Sequence, residues 1–242
     1  HVPWFGYQLF TGNSLIGARR EVYSSWDVRK GKWWEKLPRR IDPQQPDRKP
    51  NEVYHFLLPD PGMANYSDRV AKQLYPEHFD RIKEWKQDFT RMIDPHEIKR
   101  LLQLSEKIDE LWEEHLRLVK EDHQQTEDPL SVWPNQEIHN AATTRKRKEQ
   151  IRRKGLLSED GDIATPYRRL KLAMDYWCSL WFWPIQESAS LPQREMWWLE
   201  IGALLEGNVV EVEVQSSFDL DSFEAGSEEE TEAAQQTTET ET

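Results

Sequence analysis

The sequence predicts a mainly helical protein, with a short strand-and-loop region before the helices and an acidic segment after them. Three features of the 242 residues indicate this fold class. Apolar side chains recur at three- and four-residue steps from residue 67 to about residue 206, which is the period of an α-helix. Short apolar runs broken by proline and glycine precede that region, and a stretch rich in Glu, Thr and Ser follows it. We therefore divide the chain into residues 1–62, 63–206 and 207–242.

The first region, residues 1–62, has the character of strands and loops. Residues 53–58 form a run that is apolar apart from His55, and the turn-forming sequence Pro-Asp-Pro-Gly follows it. Such a run is typical of a strand that is buried on both faces. Asp60 comes just after this run, where functional side chains gather in open α/β sheets. A turn residue is nevertheless the favoured interpretation of an aspartate between two prolines.

Start and stop signals of helices are frequent in residues 63–206. Pro76 should end or kink the first helical run near Tyr75. Asp94 can cap the long amphipathic helix that follows, with Pro95 at its first position and Glu97 completing a capping box. The apolar stripe of this helix comprises Ile98, Leu101, Leu102, Ser105, Ile108, Leu111, Trp112, His115, Leu118 and Val119.

Three more helices are expected after a polar break. The first covers residues 138–154. The second begins at the cap Thr165 and runs to Trp183. Because the second half of this helix is apolar almost all round, we expect it at the centre of the helical bundle. The third covers residues 192–205 and ends before Gly207.

Charge is distributed unevenly along the chain. The protein carries 32 Lys and Arg against 44 Asp and Glu, a formal net charge of −12. Residues 206–242 hold 12 of these carboxylates and no Lys or Arg, so residues 1–205 are neutral. This composition predicts a disordered acidic tail from residue 216 onward. The net charge therefore does not exclude binding of nucleic acid by the rest of the chain.

The strongest local charge lies in residues 145–154, where seven of the ten side chains are cationic. A helix would present these cations around nearly its whole circumference except at Ile151. Contact with the phosphates of DNA is one interpretation. A solvated helix end, or a partner for the acidic tail, is the other. The candidate DNA-binding residues are Arg145, Lys146, Arg147, Lys148, Arg152, Arg153 and Lys154.

Other reactive side chains give weaker signals. The single cysteine, Cys178, excludes an intramolecular disulfide and a cysteine-based zinc site, and it is expected to be an inert core thiol in a reducing compartment. His115 and His123 would lie about 12 Å apart along one helix, too far for one metal ion. We therefore expect no metal site, and we assign His115 to a hydrogen-bonded position at a helix interface. No run of about 18 apolar residues predicts a membrane-spanning helix.

One short segment points to a function. Residues 10–17 have the sequence FTGNSLIG and place Asn13 at the end of a short strand, where an amide side chain can hold a flat polar ring. This segment resembles the G-[DN]-[ST]-L element that follows the third strand of gamma-class adenine-specific DNA methyltransferases of restriction-modification systems. The resemblance implies that Asn13, together with Ser14, contacts the adenine of S-adenosylmethionine, the cofactor of those enzymes.

Two further segments extend the resemblance. Residues 55–64 (HFLLPDPGMA) and 172–185 (LAMDYWCSLWFWPI) look like parts of the very large methyltransferases of DISARM-type bacterial phage-defence clusters. The likeness covers most of residues 5–206. It implies a helical insertion domain attached to a remnant of a Rossmann-like α/β methyltransferase sheet. It also implies a cytoplasmic enzyme that binds duplex DNA and works beside other defence-system proteins.

Two motifs of such enzymes do not occur in these 242 residues, the glycine-rich cofactor motif and the Asn-Pro-Pro-aromatic tetrapeptide. Methylation of adenine requires a flipped base, and the tetrapeptide polarises its amine and stacks on its ring. We therefore expect an excised or truncated fragment that does not methylate DNA by itself, although its parent enzyme does. The alternative is a non-catalytic helical module that docks another protein and binds no cofactor.

Overall fold

Seven α-helices and three short strands form the part of the chain that the computed structural model describes, namely residue 6 and residues 17–42, 47–127, 143–154 and 165–207. Contacts divide the chain into two units, His1–Asn208 and Val209–Thr242, and every described residue belongs to the first unit. The elements are β1 Glu21–Ser24, α1 Ser25–Lys30, β2 Arg39–Arg40, β3 Glu52–Tyr54, α2 Arg69–Leu74, α3 Pro76–Phe89, α4 Pro95–Thr126, α5 Arg145–Lys154, α6 Pro166–Ser179 and α7 Arg194–Glu206. The prediction of a mainly helical protein is confirmed.

The three described strands form one antiparallel sheet in the order β2-β1-β3. Val22 at the centre of the sheet lies opposite Arg39 on one side and Tyr54 on the other. A Rossmann-like sheet is parallel, so these three strands do not test that part of the expectation. The predicted acidic tail and the strand before Asn13 lie outside the described residues.

The apolar run at residues 53–58 is buried as predicted, but it is only partly a strand. β3 ends at Tyr54, and His55–Leu57 continue as a 3₁₀ turn. The backbone carbonyls that follow are bonded by side chains, because the indole of Trp198 donates to Leu57 O at 2.9 Å and the indole of Trp177 to Leu58 O at 3.2 Å. Side-chain donors thus bond these two carbonyls, which have no neighbouring strand among the described residues.

The helix boundaries follow the predicted signals closely. α2 ends at Leu74 and α3 begins at Pro76, which confirms the predicted break near Tyr75. The capping box of α4 is present, since Asp94 accepts from the backbone amide of Glu97 at 2.9 Å and Glu97 accepts from that of Asp94 at 2.8 Å. α4 has 32 residues and is therefore about 48 Å long.

The later helices are shorter than predicted at one end. Within the predicted helix at residues 138–154, α5 covers Arg145–Lys154, and residues 138–142 lie outside the described part of the chain. Thr165 caps α6 as expected, but this helix ends at Ser179. Leu180 O then accepts a hydrogen bond from the backbone amide of Ala64 at 2.9 Å, so it is engaged in tertiary structure. α7 ends as predicted before Gly207, whose φ of 74° suits glycine.

α6 and α7 both pack within the helical bundle, and the individual side chains of α7 are the more deeply buried. On α7, Trp197, Ile201 and Leu205 are fully buried, and this helix contacts both α4 and α6. The chain around the end of α6 is closer to solvent: Trp177 is half-buried, and Phe182 is 56% exposed. Both segments are apolar almost all round, so composition does not distinguish them. α6 likewise contacts two other helices, α4 and α7, so the burial of individual side chains is what distinguishes the two segments.

One buried arginine joins three helices at one end of the bundle. Arg194, at the start of α7, has a fully buried side chain and donates to both carboxylate oxygens of Glu97 at 2.7 and 2.9 Å. The same guanidinium donates to Arg91 O at 2.6 Å, just after α3, and lies 5.1 Å from the ring centroid of Trp198. Arg194 therefore bonds a backbone carbonyl just after α3 and a carboxylate in the first turn of α4.

We expect replacement of Arg194 by Met to lower the free energy of unfolding by about 3–5 kcal/mol, because it leaves the Glu97 carboxylate without its buried partner. Urea unfolding followed by circular dichroism measures the effect. Arg91→Met is the matched control, since Arg91 also pairs with Glu97 but its side chain is 40% exposed. The control substitution should lower the free energy of unfolding by less than about 1 kcal/mol. Equal costs for the two variants would show that the buried pair has no special role.

Candidate nucleic-acid interface

The basic helix α5 lies against the C-terminal end of α4. Thr143, just before α5, donates from its hydroxyl to Gln125 O at 3.0 Å. Thr144 caps the helix, because its hydroxyl accepts from the backbone amide of Arg147 at 3.3 Å. α5 is therefore attached to the bundle through its N-terminal end, with a defined helical start.

The exposure of the cations on α5 shows which of them can reach a phosphate. Arg145, Lys146, Arg147 and Arg152 are exposed. Lys148 is only 4% exposed, so the expectation that it faces a ligand needs correction. It lies one helical turn before half-buried Ile151, on the side of the helix that is turned away from solvent. The side chains of Arg153 and Lys154 lie outside the described part of the structure, although both residues are helical.

The electrostatics of α5 are unfavourable at its start. Three exposed cations, Arg145, Lys146 and Arg147, occupy the first turn, which contains no acidic residue. The N-terminus of a helix carries a partial positive charge, so cations there are destabilising and an anion would be stabilising. Near the other end, Glu149 pairs with Arg152 at 3.6 Å. The first turn of α5 therefore contains no carboxylate that would balance its three exposed cations.

The Asp60 turn follows the favoured sequence interpretation. Asp60 Oδ1 accepts a hydrogen bond from the Gly62 amide at 2.7 Å, and Asp60 O accepts one from the Met63 amide at 3.0 Å. Burial raises the pKa of the Asp60 carboxyl, while the Gly62 amide and Lys86 act in the opposite direction. A Cβ on Gly62 would lie 2.7 Å from the Trp181 ring, so the turn has no room for a larger residue.

The environments of His115 and Cys178 indicate structural roles for both side chains. His115 lies at a helix interface as predicted, with its ring stacked on Tyr167 at 5.6 Å. Its Nδ1 is buried and has no hydrogen-bond partner, so the predicted hydrogen bond is absent at that atom. Burial lowers the pKa of His115 and raises that of the Cys178 thiol, and a raised pKa fits an unreactive cysteine. Among the described residues, no group of three or more His, Cys, Asp or Glu could hold a metal ion.

The two candidate cofactor residues, Asn13 and Ser14, lie outside the described residues. The structure therefore does not relate them to α5. Sequence reasoning also missed a surface at residues 25–40, where two exposed tryptophans lie among lysines and arginines. The alternation of aromatic and basic residues in this part of the sequence could have indicated such a surface.

Comparison with models of protein families, with curated proteins and with solved structures finds no match for this chain. Within the described ranges, none of the helices has the length and apolar character that crossing a membrane would require.

We expect Arg147→Glu to raise the free energy of unfolding by about 0.5–1 kcal/mol, because it places a carboxylate in the first turn and creates a capping box with Thr144. Chemical unfolding monitored by circular dichroism measures this change. Arg152→Glu, with the same change of charge near the other end of α5, is the matched control and should give no gain. A gain of the same size in both variants would mean that net charge alone controls stability.

Proposed function

We propose that this chain is part of an S-adenosylmethionine-dependent DNA adenine methyltransferase of a bacterial restriction-modification or phage-defence system, and that α5 contacts duplex DNA. The observation that carries the proposal is the group of exposed cations in the first turn of α5, without an acidic residue among them. The resemblance of residues 10–17 to the cofactor-adenine element of such enzymes adds the reaction class.

The role of α5 in this proposal is to hold the phosphate backbone. Arginine and lysine that neutralise phosphates supply affinity without reading sequence, and they fix the position of the protein on the duplex. Extrusion of an adenine costs unstacking energy and demands that the flanking duplex be held in place. Arg145, Lys146, Arg147 and Arg152 are exposed and suited to that task.

The cofactor would supply the methyl group in the parent enzyme. Only Asn13 and Ser14 are assigned to it, and that assignment stays a prediction from the resemblance. The alternative function is a helical module that docks another protein. It is favoured by the outer face of α7, where Met196 is 50% exposed and Leu199 is 61% exposed.

We expect this chain to bind S-adenosylmethionine too weakly for detection at micromolar concentrations, because its sequence contains no glycine-rich cofactor motif. Isothermal titration calorimetry with the full chain measures the binding. An Asn13→Ala variant provides the comparison if heat is observed. A single tight site that depends on Asn13 would contradict the fragment interpretation, since it would show a complete cofactor site.

We expect weak binding of duplex DNA that is independent of sequence, with a dissociation constant of about 10⁻⁴ to 10⁻⁶ M that rises steeply with salt. Changing Arg145, Arg147, Arg152 and Arg153 together to Gln should weaken binding and reduce the salt dependence. Deleting residues 216–242 should strengthen binding, because the acidic tail competes for the same cations. Fluorescence anisotropy of a labelled duplex at several salt concentrations measures all three chains.

A matched control removes four exposed cations from α2 and α3 instead and changes the net charge by the same amount. The control substitutions are Arg69→Gln, Lys72→Gln, Arg81→Gln and Lys83→Gln. If this control weakens DNA binding as much as the α5 variant, the effect is one of net charge. If the chain without its tail does not bind DNA at low salt, α5 is a solvated helix and the protein-docking function is favoured.

A further inference from the structure

Two tryptophans are held at the protein surface by a short segment next to the sheet. Trp26 is 57% exposed on α1, and Trp34 is 37% exposed in the 3₁₀ turn Trp33–Glu35. Leu37 follows and is 96% exposed. Large apolar side chains that stay in water near one another are uncommon on soluble domains and mark sites of interaction.

The fold does not need these two tryptophans for its core. Val28 and Trp33 anchor the same segment, with 0% and 2% of their surfaces exposed. Tyr23 fixes the segment further, because its hydroxyl donates to Lys36 O at 3.2 Å. These inward side chains hold the segment in place, while Trp26 is exposed and Trp34 packs edge-on against Trp33 with ring centroids 4.8 Å apart.

Two cations lie over the ring of Trp26. The ammonium of Lys30 lies 3.6 Å from the centroid of the Trp26 ring, and that of Lys36 lies 5.4 Å from it. Arg29 and Lys32 are exposed on the same segment. In all, residues 25–40 carry six Lys and Arg against two Asp and Glu. This surface, which we call the aromatic-basic surface, thus combines flat apolar rings with a local excess of positive charge.

We propose that the aromatic-basic surface binds single-stranded nucleic acid, with bases stacked on Trp26 and Trp34 and phosphates beside Arg29, Lys30 and Lys32. Proteins that hold single strands combine aromatic stacking platforms with a positively charged track for the backbone. In a single strand each base is adjacent to a phosphate, so a base that stacks on Trp26 would displace the Lys30 ammonium from the ring face and bring a phosphate within reach of this side chain. A duplex hides its base faces, so it cannot use the rings in this way.

A membrane surface fits these observations less well. Interfacial binding buries the apolar side chains some 5–10 Å into the headgroup and acyl boundary. Helices that bind in this way present a row of apolar side chains along one face. α1 has six residues, and Trp26 is its exposed large apolar side chain.

This inference goes beyond the proposed function, because it concerns another surface and another form of nucleic acid. The test uses the full chain and a fluorescein-labelled oligonucleotide of twenty thymidines, with anisotropy as the readout. Replacing Trp26 and Trp34 together by Ala should weaken binding by about tenfold or more, since stacking accounts for about 1–3 kcal/mol per base. The conservative pair Trp26→Phe and Trp34→Phe should retain most of the affinity.

Matched controls separate stacking from general effects. Phe182→Ala with Leu199→Ala removes two exposed apolar side chains elsewhere and should leave oligonucleotide binding unchanged. Arg29→Gln, Lys30→Gln and Lys32→Gln together should reduce the salt dependence, because they remove phosphate contacts. The four substitutions on α5 should change binding of the thymidine oligonucleotide much less than binding of duplex DNA. Thermal unfolding of each variant checks that it is folded.

Three outcomes would overturn the inference. The first is absence of oligonucleotide binding by the full chain at low salt. The second is an equal loss of affinity for heparin, a polyanion without bases, when Trp26 and Trp34 are replaced by Ala. The third is Trp26-dependent binding to phosphatidylserine vesicles without binding of the oligonucleotide, which would identify a membrane surface. Failure of duplex binding alone would instead count against the proposed function and leave this inference standing.

Discussion

The helical part of this protein depends on the buried pairing of Arg194 with Glu97. The guanidinium contacts the end of α3, the first turn of α4 and the ring of Trp198 on its own helix. Burial removes water from the guanidinium and the carboxylate, and their mutual hydrogen bonds offset that cost, although Arg194 Nε is buried without a partner. In this arrangement α7 contacts both α4 and α6, the indole of Trp198 on α7 donates to Leu57 O, and the indole of Trp177 on α6 donates to Leu58 O.

The helix α4 extends from the buried arginine to the basic helix α5. Glu97 lies in its first turn, while Gln125, which accepts the hydrogen bond from Thr143, lies in its last turn. The two positions are about 42 Å apart along the helix axis. The basic helix α5 is therefore remote from the buried arginine, and its charges can be altered without disturbing the core.

The two basic surfaces of the described chain differ in chemistry. α5 offers cations without aromatic neighbours, which suits a phosphate backbone whose bases are paired. The aromatic-basic surface offers rings with cations on them, which suits bases that are unpaired. An enzyme that extrudes one base from a duplex leaves unpaired bases within paired DNA. The presence of both surfaces is thus coherent with the proposed function, while each remains separately testable.

The sequence by itself determined the features that depend on local geometry. The proline at residue 76, the capping box of Asp94 and Glu97, the cap at Thr165 and the glycine stop at residue 207 each act within one helical turn, so their effect is visible in the chain. The tertiary structure alone decided that the tryptophans of α7 are buried more deeply than those near the end of α6, that Lys148 is buried, and that two indoles bond the carbonyls of Leu57 and Leu58. These features depend on partners that are distant in sequence. Local patterns contain no information about such partners, because burial is set by what packs against a side chain.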